Sequence, residues 1–281
     1  MKQTTILHPV ELTGIGLHKG IKVKLRLEPL EDNRGIEFFR SDVDVTIKLN
    51  KSNVIGTNMA TIIGSNGYHI STIEHLLSAV SSYGIDNLKI IVDADEIPIF
   101  DGSSFDYCKL LDEAGIVELE SPKKTLIIKN DIIIQDGIKF VKVSPSKNLN
   151  YNFEIDFNHS AIGKQILSFT FSKSKFKDEI SKARTFGFLK DAQYLHSKGL
   201  ALGGSLKNAI ILNDDGVMNE EGLRFKDEFV RHKILDAIGD MSLLGYNFVG
   251  SYESFAGSHS LNFQLVQAIL EDSDNFEVVE L

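Results

Sequence analysis

Apolar positions change period several times along the chain, and each change predicts an element. Ile21, Val23, Leu25 and Leu27 alternate with Lys22, Lys24 and Arg26, which predicts a half-buried strand. A strand over Thr4–Val10 is expected ahead of it, with a hairpin turn through Gly14 and Gly16 between them. Those glycines lack the third glycine of a dinucleotide-binding turn and the lysine of a Walker loop. Short strands are expected at 34–40, 43–48, 59–63 and 68–70, the last two around Gly-Ser-Asn-Gly at 64–67. The spacing then turns helical: Ile73, Leu76, Leu77 and Val80 share a face, and Gly84 ends the helix. Ser71 and Glu74 fit a capping box at its start. Leu88–Val92 is a strand, and a turn-rich loop from Ala94 leads to a helix over Phe105–Ala114, ended by Gly115.

Ser121-Pro-Lys-Lys is the best linker candidate. Strands are expected at 125–128, 132–135, 139–143, 151–157 and 165–171, a helix over 174–183 and another over 189–197. Gly199-Leu-Ala-Leu-Gly-Gly-Ser reads as chain reversal. Ala209–Leu212 and Tyr246–Tyr252 read as strands, Leu261–Leu270 as the last helix, and 271–281 as a frayed tail. The halves echo each other. A helix with a histidine, then a glycine, then a strand occurs around His75 and again around His232, so the two histidines are expected to face each other across a junction.

The most informative stretch is Glu228–Asp240. Val230, Ile234, Ala237, Ile238 and Met241 form its apolar face. His232 and Asp236 are four apart and project from one side, and Asp240 continues their stripe. Phe229, Leu235 and Leu243 fall near that stripe, so both sides of the helix are expected to be covered. Gly239 also lies there, where glycine costs about 1 kcal/mol relative to alanine. Two readings stay open: a metal or catalytic site, or a structural ion-pair network. Glu74 is either a cap partner or a reacting group. His75 is surrounded by Ser78, Ala79 and Ser82, small enough for another element to approach. His259, at a helix start, would have its pKa lowered by the dipole unless an acid opposes it. His18, His159 and His196 read as turn or surface histidines.

Composition narrows these choices. The chain has 281 residues, 42% hydrophobic and 25% charged, as in globular proteins of one or two domains. A single cysteine, Cys108, excludes an internal disulfide and any multi-cysteine metal site, so metal ligands must come from His, Asp or Glu. A net charge of −9 disfavours nucleic-acid binding. No signal-peptide core and no membrane-length apolar run is present, and a cytoplasmic protein is expected.

Five motifs in order then resemble one family. They are Ser71-Thr-Ile-Glu-His-Leu, Glu96-Ile-Pro-Ile-Phe-Asp-Gly-Ser, Ala183-Arg-Thr-Phe-Gly-Phe, Phe229-Val-Arg-His-Lys-Ile-Leu-Asp-Ala-Ile-Gly-Asp and Gly257-Ser-His. Together they resemble the LpxC family, zinc amidases that deacetylate UDP-3-O-acyl-N-acetylglucosamine in lipid A synthesis. The resemblance implies an α+β fold of two domains, each a small β-sheet with helices, the helices packed between the two sheets. The domains would be 1–121, carrying Glu74 and His75, and 125–281, carrying His232, Asp236 and His259. It implies Zn²⁺ on His75, His232 and Asp236, with Glu74 as general base and His259 as the protonated group that stabilises the oxyanion. Asp240 would pair with His259, Thr185 would help bind the tetrahedral intermediate, and Lys233 and Phe186 would contact substrate. The Gly199–Leu206 segment would line the acyl passage. A monomer acting on a small molecule is expected, without nucleic acid or membrane insertion. The alternatives are a zinc amidohydrolase for another N-acyl sugar and a non-catalytic binding module.

Overall fold

The computed structural model describes residues 1–280. Two five-stranded sheets have the same winding. The first runs Val10–Ile15, Lys22–Pro29, Leu88–Val92, Ile36–Arg40, Val45–Lys48, and the second Ile132–Asp136, Lys139–Ser144, Ser251–Phe255, Asn150–Phe157, Gly163–Thr170. In each, two antiparallel hairpins flank a central strand that lies parallel to the first strand of the later hairpin. A helix precedes each central strand and another follows it: Glu74–Ser82 and Phe105–Ala114 in the first half, Glu228–Met241 and His259–Glu271 in the second. A three-stranded sheet is inserted before the leading helix of each half, Val54–Gly56, Ile62–Ser65 and Tyr68–Ile70, then Phe186–Phe188, Ile210–Asn213 and Gly216–Val217. The echo around the two histidines thus extends to the whole topology.

Four helices lie between the two sheets. Phe105–Ala114 packs on the first sheet and on Glu74–Ser82, which packs on Glu228–Met241. Glu228–Met241 in turn rests on the Asn150–Phe157 and Gly163–Thr170 strands and on His259–Glu271. Burial on both sides explains why Arg231 and Lys233 are the only residues of Glu228–Met241 that are not buried. Gly239 takes its place in this packing. A Cβ there would overlap the carbonyl and Cα of Glu74, so the two central helices meet backbone to backbone.

Several expectations need correction. Ser71 and Glu74 form no capping box. Thr72 is left-handed, with φ 61°, which turns Ser71 away, and the helix begins at Glu74 without a side-chain cap. Ser71 donates instead to the Asp95 carbonyl at 3.3 Å. The 174–183 segment is helical as far as Ile180, where an α-turn over Lys173–Lys175 runs into a π-helix over Phe176–Ile180. Tyr246–Tyr252 breaks at Gly250 into Asn247–Val249 and Ser251–Phe255, which join different sheets. A Cβ at Gly250 would crowd Ile128 and Ser144. The acidic tail is not frayed: Phe276–Glu280 pairs antiparallel with Lys124–Ile128. Its exposed Glu277 and Glu280 flank Val278 and Val279 in that strand. The linker at 121–124 is extended chain, where Pro122 ends one strand and Lys124 opens the next. His159 is tied down, with Nε2 at 2.8 Å from the Asn213 carbonyl and Nδ1 accepting from Ala161.

Gly239→Ala removes the cost of a helical glycine, about 1 kcal/mol, yet inserts a methyl where the backbones touch. The expected result is a net loss of about 1–3 kcal/mol in denaturant unfolding. Unchanged or increased stability would mean that the helices can part without cost.

Candidate metal centre

The centre forms where the two middle helices meet. His75 and His232 face each other edge-on, ring centroids 4.9 Å apart. Their Nε2 atoms lie 3.5 and 3.3 Å from the same oxygen, Asp236 Oδ1. One donor atom from each of the three residues falls within 4.8 Å of the others, and all three side chains are buried. His232 Nδ1 is 3.1 Å from the Ala183 carbonyl. A carbonyl can only accept, so Nδ1 carries the proton and Nε2 presents a lone pair. Burial pushes the His232 pKa down to about 3, so that lone pair persists at neutral pH.

Asp236 Oδ1 is buried and, among the described residues, accepts no hydrogen bond. Burial alone would raise the Asp236 pKa, but His232, Lys233 and His75 outweigh it and hold the group well below the usual carboxylate range. A buried carboxylate oxygen thus faces an imidazole lone pair at 3.3 Å with no donor between them. Two acceptors in that relation repel unless a cation lies between. The set of two imidazoles and one carboxylate, with further positions open, suits a catalytic divalent metal. The second carboxylate oxygen, Oδ2, accepts from Lys233 Nζ at 2.7 Å, which orients the group.

A proton-handling group adjoins this cluster. Freed from capping, Glu74 turns inward: Oε2 accepts from the Thr61 backbone N–H at 3.1 Å, and Oε1 is 3.8 Å from His259 Nε2. Burial raises the Glu74 pKa, opposed by His259 and His75. His259 Nδ1 lies 2.8 Å from Asp240 Oδ2. Burial and the helix start both disfavour a charged imidazole there, but the Asp240 and Glu74 carboxylates prevail and raise its pKa to about 10. Asp240 is fully engaged, accepting also from Thr61 Oγ1 at 2.6 Å and Asn262 Nδ2 at 2.7 Å.

The Ala183–Phe188 segment closes one wall. Phe186 packs edge-on against Phe229 at 4.9 Å and lies 6.3 Å from His232, with Lys233 Nζ 6.0 Å from its ring centroid. Thr185 precedes Phe186 but, among the described residues, shares no hydrogen bond with the other expected site residues. Its backbone bonds Gly102 and Ile210, and its hydroxyl pairs with no group among the described residues. Gly102, at φ 85°, lets the Asn208 carbonyl approach where a side chain would clash. The Gly199–Ser205 loop packs on the turn of the first half, with Leu202 and Gly203 donating to the His18 and Leu17 carbonyls at 2.9 Å.

Sequence reasoning missed three supports. Thr61 and Asn262 carry no motif, although Asn262 lies one turn after His259 and shares its face. Arg184 is buried and bonds Glu228 through its backbone N–H at 3.0 Å and its Nε at 2.9 Å. Glu228 opens the helix that carries His232, so this pair aligns the Ala183 carbonyl with the His232 ring. An arginine inside one matched motif and a glutamate just ahead of another were the available signal.

A His–His–Asp cluster beside a raised-pKa carboxylate and a His–Asp pair defines the metal-dependent amide hydrolases as the class. The chain belongs to the LpxC family, UDP-3-O-acyl N-acetylglycosamine deacetylase, whose profile matches residues 3–271. It is 64% identical over 281 residues to the UDP-3-O-acyl-N-acetylglucosamine deacetylase of Sulfurimonas denitrificans, covering 100% of this chain and 96% of that protein. It is 57% identical over 281 residues to the enzyme of that name from Campylobacter fetus, covering 100% and 96%. Against that of Helicobacter pylori J99 it is 58% identical over 279 residues, covering 99% and 95%.

The His259 pKa lies above its ordinary 6.5, so its ion pair stabilises the fold fully below that pH and progressively less towards pH 10. The difference in melting temperature between wild type and His259→Gln is therefore expected to be largest in acid and smallest near pH 10. A difference that stays flat with pH would mean that His259 is not held charged.

Proposed function

We propose that this chain hydrolyses the acetamide of UDP-3-O-acyl-N-acetylglucosamine, releasing acetate and the free amine, in lipid A biosynthesis. The observation that carries this reading is the Glu74–His259 pair placed against the His75, His232 and Asp236 cluster, in a chain of this family. Those three residues would hold Zn²⁺. The ion would supply a Lewis acid for the amide carbonyl and lower the pKa of water bound there.

The remaining chemistry belongs to the chain. Glu74 Oε1 is the base that takes a proton as water attacks the carbonyl carbon. Its raised pKa brings it nearer the working range for a base at neutral pH. Attack places negative charge on the carbonyl oxygen, and the charged His259 imidazole stabilises it. Breaking the C–N bond leaves an amine that needs a proton, and His259 Nε2 and the newly protonated Glu74 both lie within reach of one reacting group. Asp240 keeps His259 charged between turnovers. The Thr185 hydroxyl, uncommitted among the described residues, is offered to the tetrahedral intermediate. Lys233 and Phe186 contact the substrate, the first supplying positive charge that a nucleotide diphosphate needs on a chain of net charge −9. The Gly199–Leu206 segment, with Leu200, Leu202 and Leu206 exposed, is offered to the acyl chain.

The two domains divide at 121–125, where Ile116–Pro122 pairs with Lys2–Ile6 while Lys124–Ile128 pairs with strands of the second half. We place the protein in the cytoplasm as a monomer; among the described residues no helix is long and apolar enough to cross a membrane.

Metal analysis joined to an acetate-release assay tests the reading. Wild type and Glu74→Ala are expected to retain zinc, His75→Ala and Asp236→Ala to lose it. Glu74→Ala is expected to lose about 10²- to 10⁴-fold in kcat. A wild type without zinc that releases no acetate overturns the reading. Equal rates with and without the UDP group would redirect it to other N-acyl sugars.

A further inference from the structure

One residue of the first half holds both acids that flank His259. Thr61 Oγ1 donates to Asp240 Oδ1 at 2.6 Å, a bond between residues of opposite halves. The Thr61 backbone N–H donates to Glu74 Oε2 at 3.1 Å. Thr61 is 1% exposed, and it leads into Ile62–Ser65, the middle strand of the first inserted sheet.

These bonds leave each acid with one oxygen spoken for and the other directed at His259. Glu74 retains Oε1, 3.8 Å from His259 Nε2. Asp240 retains Oδ2, 2.8 Å from His259 Nδ1 and held also by Asn262. The terminal torsion of a carboxylate is broad, so a donor fixed on one oxygen is what sets the plane of the group. The 2.6 Å separation is typical of a hydroxyl bonded to an ionised oxygen. A threonine that merely filled space could satisfy its hydroxyl on a neighbouring carbonyl, as Ser78 and Ser104 do on His75.

We infer that Thr61 is a positioning residue for the reaction: it fixes the planes of the Glu74 and Asp240 carboxylates so that base and imidazole address one reacting group. The inference rests on the deacetylase reading above. It assigns the first inserted sheet a task in catalysis, since the strand delivers Thr61 to acids on both middle helices.

Thr61→Val keeps the shape and the backbone N–H but removes the hydroxyl donor, and Thr61→Ser keeps the donor. The valine variant is expected to lose about 10- to 100-fold in kcat, the scale of one hydrogen bond to a charged group. KM and metal content should remain near wild type, and the serine variant should recover most of the loss. A second readout needs no substrate. In ¹H–¹⁵N spectra the His259 imidazole resonances should move in Thr61→Val and return in Thr61→Ser; Thr61→Ala provides the same comparison if the valine does not fold. Wild-type kcat with unmoved His259 resonances in Thr61→Val overturns the inference. So does a serine variant as impaired as the valine one, which would indicate packing alone. If wild type itself releases no acetate, the deacetylase reading fails, while the resonances still decide whether Thr61 sets the His259 environment.

Discussion

The centre depends on the contact between the Glu74 backbone and Gly239. Two helices that touch at that point bring the first turn of one against the last turn of the other. His75 then faces His232 and Asp236, while Glu74 faces His259, which is paired with Asp240 at the end of their stripe. Side chains of ordinary size between the helices would widen the gap and separate the donor atoms. The glycine that looks like a defect in an isolated helix is therefore what assembles the site. Ser78, buried one turn beyond His75, is bonded instead to Ser104 ahead of the Phe105–Ala114 helix.

Burying so many ionisable groups is costly, and the arrangement offsets the cost pairwise. Lys233 neutralises one oxygen of Asp236 and leaves the other facing the imidazoles. Asp240 and His259 compensate each other. Glu74 is the exception. It receives one backbone N–H and stands at a distance from His259 too long for a good hydrogen bond, so its pKa rises. The least satisfied acid is the one whose role requires it to accept a proton. Compensation elsewhere lets that strain be concentrated on a single group.

Much of this was legible in the sequence where periodicity and spacing carried it. The i, i+4 relation of His232 and Asp236, the apolar face of their helix and the echo with His75 all translate directly into the structure. The failures share a cause. A capping box is a local pattern, and at Ser71 a left-handed residue next door redirected the chain. The strand at Phe276–Glu280 exists because Lys124–Ile128 offers it an edge, and no local feature of an acidic stretch reveals a distant partner. Thr61 and Asn262 are ordinary polar residues whose value arises only from what the fold brings to them. Arg184 and Glu228 were each visible as charges, but their burial together was not.

Each half closes by pairing an early strand with a late one: Lys2–Ile6 with Ile116–Pro122, and Lys124–Ile128 with Phe276–Glu280. During synthesis the first half can complete itself soon after Pro122 leaves the ribosome. The second cannot do so until its last strand has emerged. Until Glu228–Met241 emerges, a first half closed in this way presents His75 and Glu74 on a helix face still awaiting its partner. The metal centre thus needs only the helix that carries His232 and Asp236, which leaves the ribosome before the strand that closes the second half.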